Sequence, residues 1–273
     1  MVGKIFKSVK NILRADPRLI YEKEWRLVDK PFYFPGTSGR GILLIHGWSS
    51  TPYEVRRLGT YLNEKGYTVH APMLRGHGTV PKDLESVRWQ DWLEDAENAY
   101  RRLSQECEKV YLGGTSIGSN LALILASRHR EVSALVLMAT PYRLKFEKAV
   151  VNFAHFLRIF KKYNTKIYPP TFGVSNSITR LISYKSYPIH SSLEAAKAIA
   201  ESRKFVPLVK QPCFAIQSRH DHIVKKNSLE EIYNNLGSAV KKKRYIDRVY
   251  HTFISDIKNG NIFEEILDFL NKN

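Results

Sequence analysis

The sequence predicts an α/β protein: a mostly parallel, twisted sheet with helices on both faces and a helical cap insertion. Three observations carry that reading. Short continuous apolar runs, the pattern of strands buried on both faces, recur from about Arg40 onward. Longer stretches of helical periodicity lie between them, and strands alternating with helices argue for a parallel sheet covered on both sides. The alternation then breaks between residues 141 and 192 and resumes to the C-terminus.

Taken in order, "GILLI" (41–45) is the first buried strand, and Glu54 to Lys65 is a helix with Pro52 placed near its first turn. "YTVHAP" is a second strand, followed by the glycine-rich "RGHG". "WQDWLEDAENAYRRL" is a helix with Trp89, Trp92, Leu93, Ala96, Tyr100 and Leu103 on or near one face. "KVYLGG" is a third strand, "SNLALILASRH" a buried helix and "VSALVLMAT" a fourth strand. After the break, "PCFAIQS" is a strand, Ser228 to Leu236 a helix, "AVKKKRYI" the last strand, and Ile262 to Leu270 a closing helix. This organisation gives a core of residues 1–140 and 193–273, with a cap insertion at 141–192. "VVNFAHFLRIF" places apolar residues at helical spacing in that cap, with a basic counter-face, and "FGVSNSITRLISY" continues its aromatic theme.

The 273 residues suit one domain with an insertion. The formal net charge of +17 is the compositional oddity, and it is uneven: no acid occurs from Lys148 to Leu193. No zinc finger, RNA-binding aromatic signature or basic heptad turns this charge into nucleic-acid recognition. Cys107 and Cys213 are too far apart in sequence for a metal-ligand spacing and form no disulfide framework, which predicts a reducing, cytoplasmic setting. No apolar run is long enough to cross a bilayer, and the N-terminus lacks the h-region and cleavage site of a signal peptide. Residues 1–25 form a basic amphipathic extension, with Ile5, Phe6, Val9, Ile12 and Leu13 at helical spacing between lysines and Arg14. Such a stripe packs on the protein body or rests on an anionic membrane surface.

The chemistry centres on "YLGGTSIGSN". Gly114-Thr115-Ser116-Ile117-Gly118 matches G-x-S-x-G and sits between a strand and a helix, the context a nucleophile elbow requires. A serine hydroxyl is a poor nucleophile until a base accepts its proton and a third group orients the base. Asp221, in "SRHDHIV" after a strand, and His251, in "DRVYHTF" after the last strand, follow in the order acid then base. Both fall at strand C-terminal ends, where open α/β sheets bind ligands. The oxyanion donors are the amides of Ile117 and, from the loop "LLIHGWSS", Trp48; each is worth ~3 kcal/mol in barrier.

Rivals exist for each role. Asp247 lies only four residues before His251, an awkward reach for the imidazole. His220 and His222 flank the acid, and His46 and His77 suit loop-shaping hydrogen bonds. His129, His155 and His190 belong to the surface or the cap. A dinucleotide site would need G-x-G-x-x-G after the first strand and an acid ending the second, and neither is present.

The stretches "LLIHGWSSTPYEVRRLGTYLNEKGYTVHAPMLRGHGT", "WQDWLEDAENAY", "GGTSIGSN", "SRHDHIV" and "YHTF" resemble serine esterases of the α/β-hydrolase superfamily, in the branch of bacterial carboxylesterases and monoacylglycerol lipases. The likeness runs from about Gly41 to the end and is weakest in the insertion. It implies Ser116 as nucleophile, Asp221 as acid, His251 as base, Trp48 and Ile117 as oxyanion donors, and the 141–192 insertion as a lid. Two positions depart from the pattern: Tyr250 stands where a small residue is frequent, and Ile117 where Met or Leu is. The implied activity is hydrolysis of short-to-medium acyl esters or monoacylglycerols through an acyl-serine, with no cofactor or metal. Alternatives are lysophospholipase or thioesterase activity at an anionic lipid surface, or a membrane-surface binding protein on the same scaffold. The sequence leaves the oligomeric state open.

Overall fold

Strand β2 (Arg40–Ile45) lies at the heart of the sheet and shows how the core is divided. Its side chains alternate between faces, as the two-residue period of a strand requires. Leu43 and Ile45 enter one apolar cluster, while Ile42 and Leu44 enter the other. The computed structural model describes residues 26–144, 146–166, 182–247, 251–255 and 260–273. The amphipathic stripe at 5–14, most of "FGVSNSITRLISY" and Tyr250 lie outside the described residues.

Seven strands form the main sheet: β1 (Phe32–Phe34), β3 (Thr68–Ala71), β2, β4 (Lys109–Thr115), β5 (Leu135–Met138), β8 (Cys213–Ser218) and β9 (Lys241–Ile246), in that spatial order. Every neighbouring pair is parallel except β1 with β3. Helices α1 (Tyr53–Glu64) and α7 (Gly260–Asn271) cover one face through Leu58, Leu62, Phe263 and Ile266. Helices α2 (Trp89–Glu106), α3 (Ile117–Arg128), α5 (Ile189–Phe205) and α6 (Ser228–Asn235) cover the other through Trp92, Leu121, Ile199 and Ile232. Every residue of α3 from Ile117 to Ala126 is buried, which explains why its sequence is apolar all round rather than striped.

The strands and helices expected from the sequence form with boundaries shifted by a few residues. Two elements of the main body were not anticipated. Strand β1 is only three residues long between Pro31 and Pro35, too short to show a period. Helix α5 spans residues 189–205 and packs on α3, so residue 192 falls inside a helix rather than at an element boundary. The edge strand β9 carries its lysines on both faces: Lys242 and Arg244 pair with Glu265 of α7, and Lys243 with Glu230 of α6. Charge on an exposed edge discourages pairing with another chain.

The insertion contributes α4 (Glu147–Phe160) and a two-stranded antiparallel sheet of β6 (Tyr163–Thr165) and β7 (Ser186–Pro188). Arg203 of α5 grips Glu147 of α4 at 2.7 Å, tying this segment to the body. Among the described residues, no helix is long and apolar enough to cross a membrane.

Strand β4 meets α3 at the two glycines of the pentapeptide. A Cβ on Gly118 would stand 2.2 Å from the carbonyl oxygen of Ile45, and one on Gly114 would stand 2.3 Å from the backbone of Gly118. Gly118→Ala is therefore expected to lower stability by about 1–3 kcal/mol, the usual cost of forcing an extra group into a packed core. Urea denaturation of the variant would measure it, and an unchanged midpoint would contradict the close approach.

Candidate active site

Ser116 is the residue between β4 and α3, with φ 53° and ψ −121°. For a side chain other than glycine this conformation costs about 1–3 kcal/mol and persists only where the surroundings impose it. Here they do: the Ser116 N–H donates to the carbonyl of Met138 at 2.8 Å, and the two glycines clamp strand and helix together. The serine is thereby lifted out of the sheet at the N-terminus of a buried helix, where backbone N–H groups favour negative charge.

The expected partners converge. Asp221, buried in the loop after β8, accepts two backbone N–H bonds on Oδ1, from Ile223 at 2.9 Å and Val224 at 2.8 Å. Its Oδ2 lies 2.7 Å from His251 Nδ1. An ionised carboxylate can only accept, so Nδ1 carries the proton and Nε2 is left as the basic nitrogen. Burial opposes charge on both groups, yet their mutual attraction and hydrogen bond prevail. The Asp221 carboxyl is held below its ordinary value and the His251 imidazole above its own, the latter aided by Glu54 and opposed by Lys166.

His251, Ser116 and Trp48 line one cavity of about 440 Å³, which also carries Glu54 and Lys166. A second cavity of about 290 Å³ shares Ser116 and Trp48 and runs beneath α4 and α5, where Ile117, Val150, Leu157 and Ile199 line it. The two spaces meet at the serine. The first, which carries Glu54, Lys166, His222 and His251, is the more polar; the second has no charged side chain among its described lining residues.

The rivals, His222 apart, are placed elsewhere. Asp247 pairs with Arg219 at 3.3 Å. His46 and His77 shape loops: Leu74 N–H donates to His46 Nε2 at 3.1 Å, and Ser49 N–H to His77 Nε2 at 2.9 Å. Burial pulls His77 down to about 4 and His46 well below its usual range, which keeps both neutral and able to accept. His129 sits between Glu97 and Glu131. His155 lies on α4 and lines a groove between α4 and α5, and His222 borders the polar cavity with its pKa lowered by burial and by His251.

Two residues that sequence reasoning passed over belong to this site. Glu54, on the first turn of α1, is fully buried. It accepts from Gly47 N–H at 2.9 Å and from Thr115 Oγ1 at 3.2 Å, binding the loop that holds Trp48 to the residue before Ser116. Lys166, just after β6, donates to Ser49 Oγ and lies 5.3 Å from the centre of the Trp48 ring. Burial pulls its ammonium down to about 8, against the attraction of Glu54. A glutamate in a helical stretch and a lysine in a basic segment carry no spacing signal, so nothing in the sequence marked either.

The family model described as "Serine aminopeptidase, S33" matches residues 38–258. The chain belongs to this family. It is an α/β-hydrolase, as the sequence resemblance implies. A carboxylesterase of Bacillus subtilis (strain 168) is 29% identical over 245 residues, 89% of this chain and 96% of that protein. A thermostable monoacylglycerol lipase of Bacillus sp. (strain H-257) is 28% identical over 243 residues, 89% of this chain and 94% of the relative. The solved structure of a metagenome-derived lipolytic enzyme superposes with a TM-score of 0.81 at 26% identity, covering 90% of this chain and 98% of its own.

The His251–Asp221 contact of this hydrolase has a measurable sign. Because the carboxylate favours the charged imidazole, an NMR titration should place His251 above its ordinary value of 6.5. In Asp221→Asn burial, the largest influence, and Lys166 are opposed by Glu54 alone, and the midpoint should fall below 6.5. A wild-type midpoint below that value would show that the carboxylate does not govern the imidazole.

Proposed function

We propose that this hydrolase is a serine carboxylic-ester hydrolase acting through an acyl-serine. The observation that carries the reading is the meeting of two unlike cavities at Ser116, with His251 and its buried Asp221 on one side only. His251 Nε2 takes the proton of Ser116 Oγ as the oxygen attacks the ester carbonyl. The amides of Trp48 and Ile117 receive the oxyanion, and α3's N-terminus adds to their field. The tetrahedral intermediate collapses, His251 hands its proton to the leaving alcohol, and the acyl group stays on Ser116. Water, deprotonated by His251, then releases the acid.

Proton transfer to the leaving oxygen puts the alcohol on His251's side, in the polar cavity. The acyl chain takes the apolar cavity beneath α4, which suits short-to-medium chains or a monoacylglycerol. The 141–192 insertion acts as the lid, its described residues Leu144, Val150, Phe153 and Leu157 excluding water from that chain. The family's description names an aminopeptidase, whose substrate carries an ammonium on the acyl side. The acyl cavity has no carboxylate among its described lining residues to receive one, which favours esters.

Labelling with an alkyl fluorophosphonate tests the nucleophile. One adduct per chain is expected on Ser116, with none on Ser116→Ala and hydrolysis of p-nitrophenyl esters falling by at least about a thousandfold. A folded wild-type protein that takes up no label would remove the proposal.

The outer face of α4 supports a finer reading. Phe156, Ile159 and Phe160, with Phe146 at the N-cap, are all more than half exposed. Lys148, Arg158, Lys161 and Lys162 accompany them. An apolar stripe flanked by cations suits an anionic lipid surface, where substrate could pass directly under the lid. Phe156→Glu with Phe160→Glu should abolish co-flotation with phosphatidylserine-containing vesicles that bind the wild type. Equal flotation of both proteins, or none by the wild type, would rule this contact out.

A further inference from the structure

The polar cavity contains more than the proposed acid–base pair needs. Lys166 brings an ammonium to its wall on the insertion side. Ser49 Oγ accepts from it and the Trp48 ring lies against it, but an ammonium has three donors, and these contacts leave capacity for an anion. Among the described residues, no carboxylate lies within 4.0 Å of Nζ. Glu54, the acid that faces the same cavity, gives one oxygen to Gly47 N–H and the other to Thr115 Oγ1.

Two neighbouring donors are likewise unspent. Ser50 Oγ and Trp48 Nε1 are buried with no hydrogen-bond partner among the described residues, and both residues line this cavity. Buried polar atoms in native proteins are nearly always paired, so an orphaned hydroxyl and indole beside a lysine mark the place of a ligand rich in acceptors. The apolar cavity shares Trp48 but has neither Ser50 nor Lys166 on its wall.

We infer that the alcohol half of the substrate carries an anionic group, a phosphate or a carboxylate, bound by Lys166 with Ser50 and Trp48. The inference rests on the proposed ester hydrolysis, which assigns the alcohol to His251's cavity. It makes Lys166 a residue that selects the leaving group and takes no part in bond making. The position also explains why the cation comes from the insertion: the segment that covers the acyl chain simultaneously places charge over the alcohol, and a neutral glycerol leaves that charge without a partner.

Three esters of one acyl chain test this: 1-butanoylglycerol, 1-butanoylglycerol 3-phosphate and 3-butanoyloxypropanoate. In the wild type at least one anionic ester should exceed the neutral one in kcat/KM by about tenfold, mostly through KM, as one added charge-assisted contact would provide. The larger preference identifies phosphate or carboxylate as the group recognised. In Lys166→Met, and in Lys166→Gln should the first variant fail to fold, that ratio should drop to about one, whereas Lys166→Arg should keep most of it. A wild-type ratio at or below one for both anionic esters would overturn the inference. So would a ratio unchanged in both charge-removing variants, which would leave the lysine as a mere prop for the Ser49 loop. Either result leaves the esterase proposal standing as long as the neutral ester is cleaved at Ser116. Failure to cleave any of the three would remove both.

Discussion

The close contact between the end of β2 and the start of α3 is the constraint on which the rest depends. Gly118 lies so near the carbonyls of Ile45 and His46 that no side chain fits between them. This contact brings the loop after β2 against the elbow: a Cβ on Gly47 would lie 3.4 Å from the Cβ of Ser116. It also stabilises the left-handed turn that raises the serine, a conformation the local sequence would not adopt alone. Glu54 completes the clamp from behind, holding Gly47 and Thr115 with one carboxylate.

From that clamp the site separates into two chemical environments. On the side of β8 and β9, Asp221 and His251 stand on loops at strand ends, and charge is plentiful. On the side of α4 and α5, the walls are mostly aliphatic and aromatic. The insertion touches both. Tyr184 N–H donates to the carbonyl of Ser49 at 2.9 Å and Lys166 binds the Ser49 hydroxyl, so the loop carrying Trp48 is held from above as well as below. Any movement of the inserted segment would therefore be felt at that loop and in the geometry around Ser116.

The parts legible in the sequence were those with a repeating or directional signature. Apolar runs announced β2, β4, β5 and β8, and the glycine spacing announced the elbow because sterics leave few other residues there. Asp221 and His251 could be placed because they follow strands that the pattern reveals. Strand β1 escaped notice because three residues between prolines have no period. Helix α5 was obscured because its buried stripe is made largely of alanine and serine, whose small side chains give little contrast between faces. Glu54 and Lys166 were invisible for another reason: each has a partner more than forty residues distant, Thr115 for one and Ser49 for the other.

The central claim is that Ser116 sits at the junction of an alcohol space and an acyl space. The crystal structure of a covalent adduct with an alkyl phosphonate tests it most directly. Phosphorus should be bonded to Ser116 Oγ, its oxygen within hydrogen-bonding distance of the Trp48 and Ile117 amides, and the alkyl chain beneath α4 among Val150, Leu157 and Ile199. An adduct on any other residue, or an alkyl chain directed past His251 toward Lys166, would contradict the account.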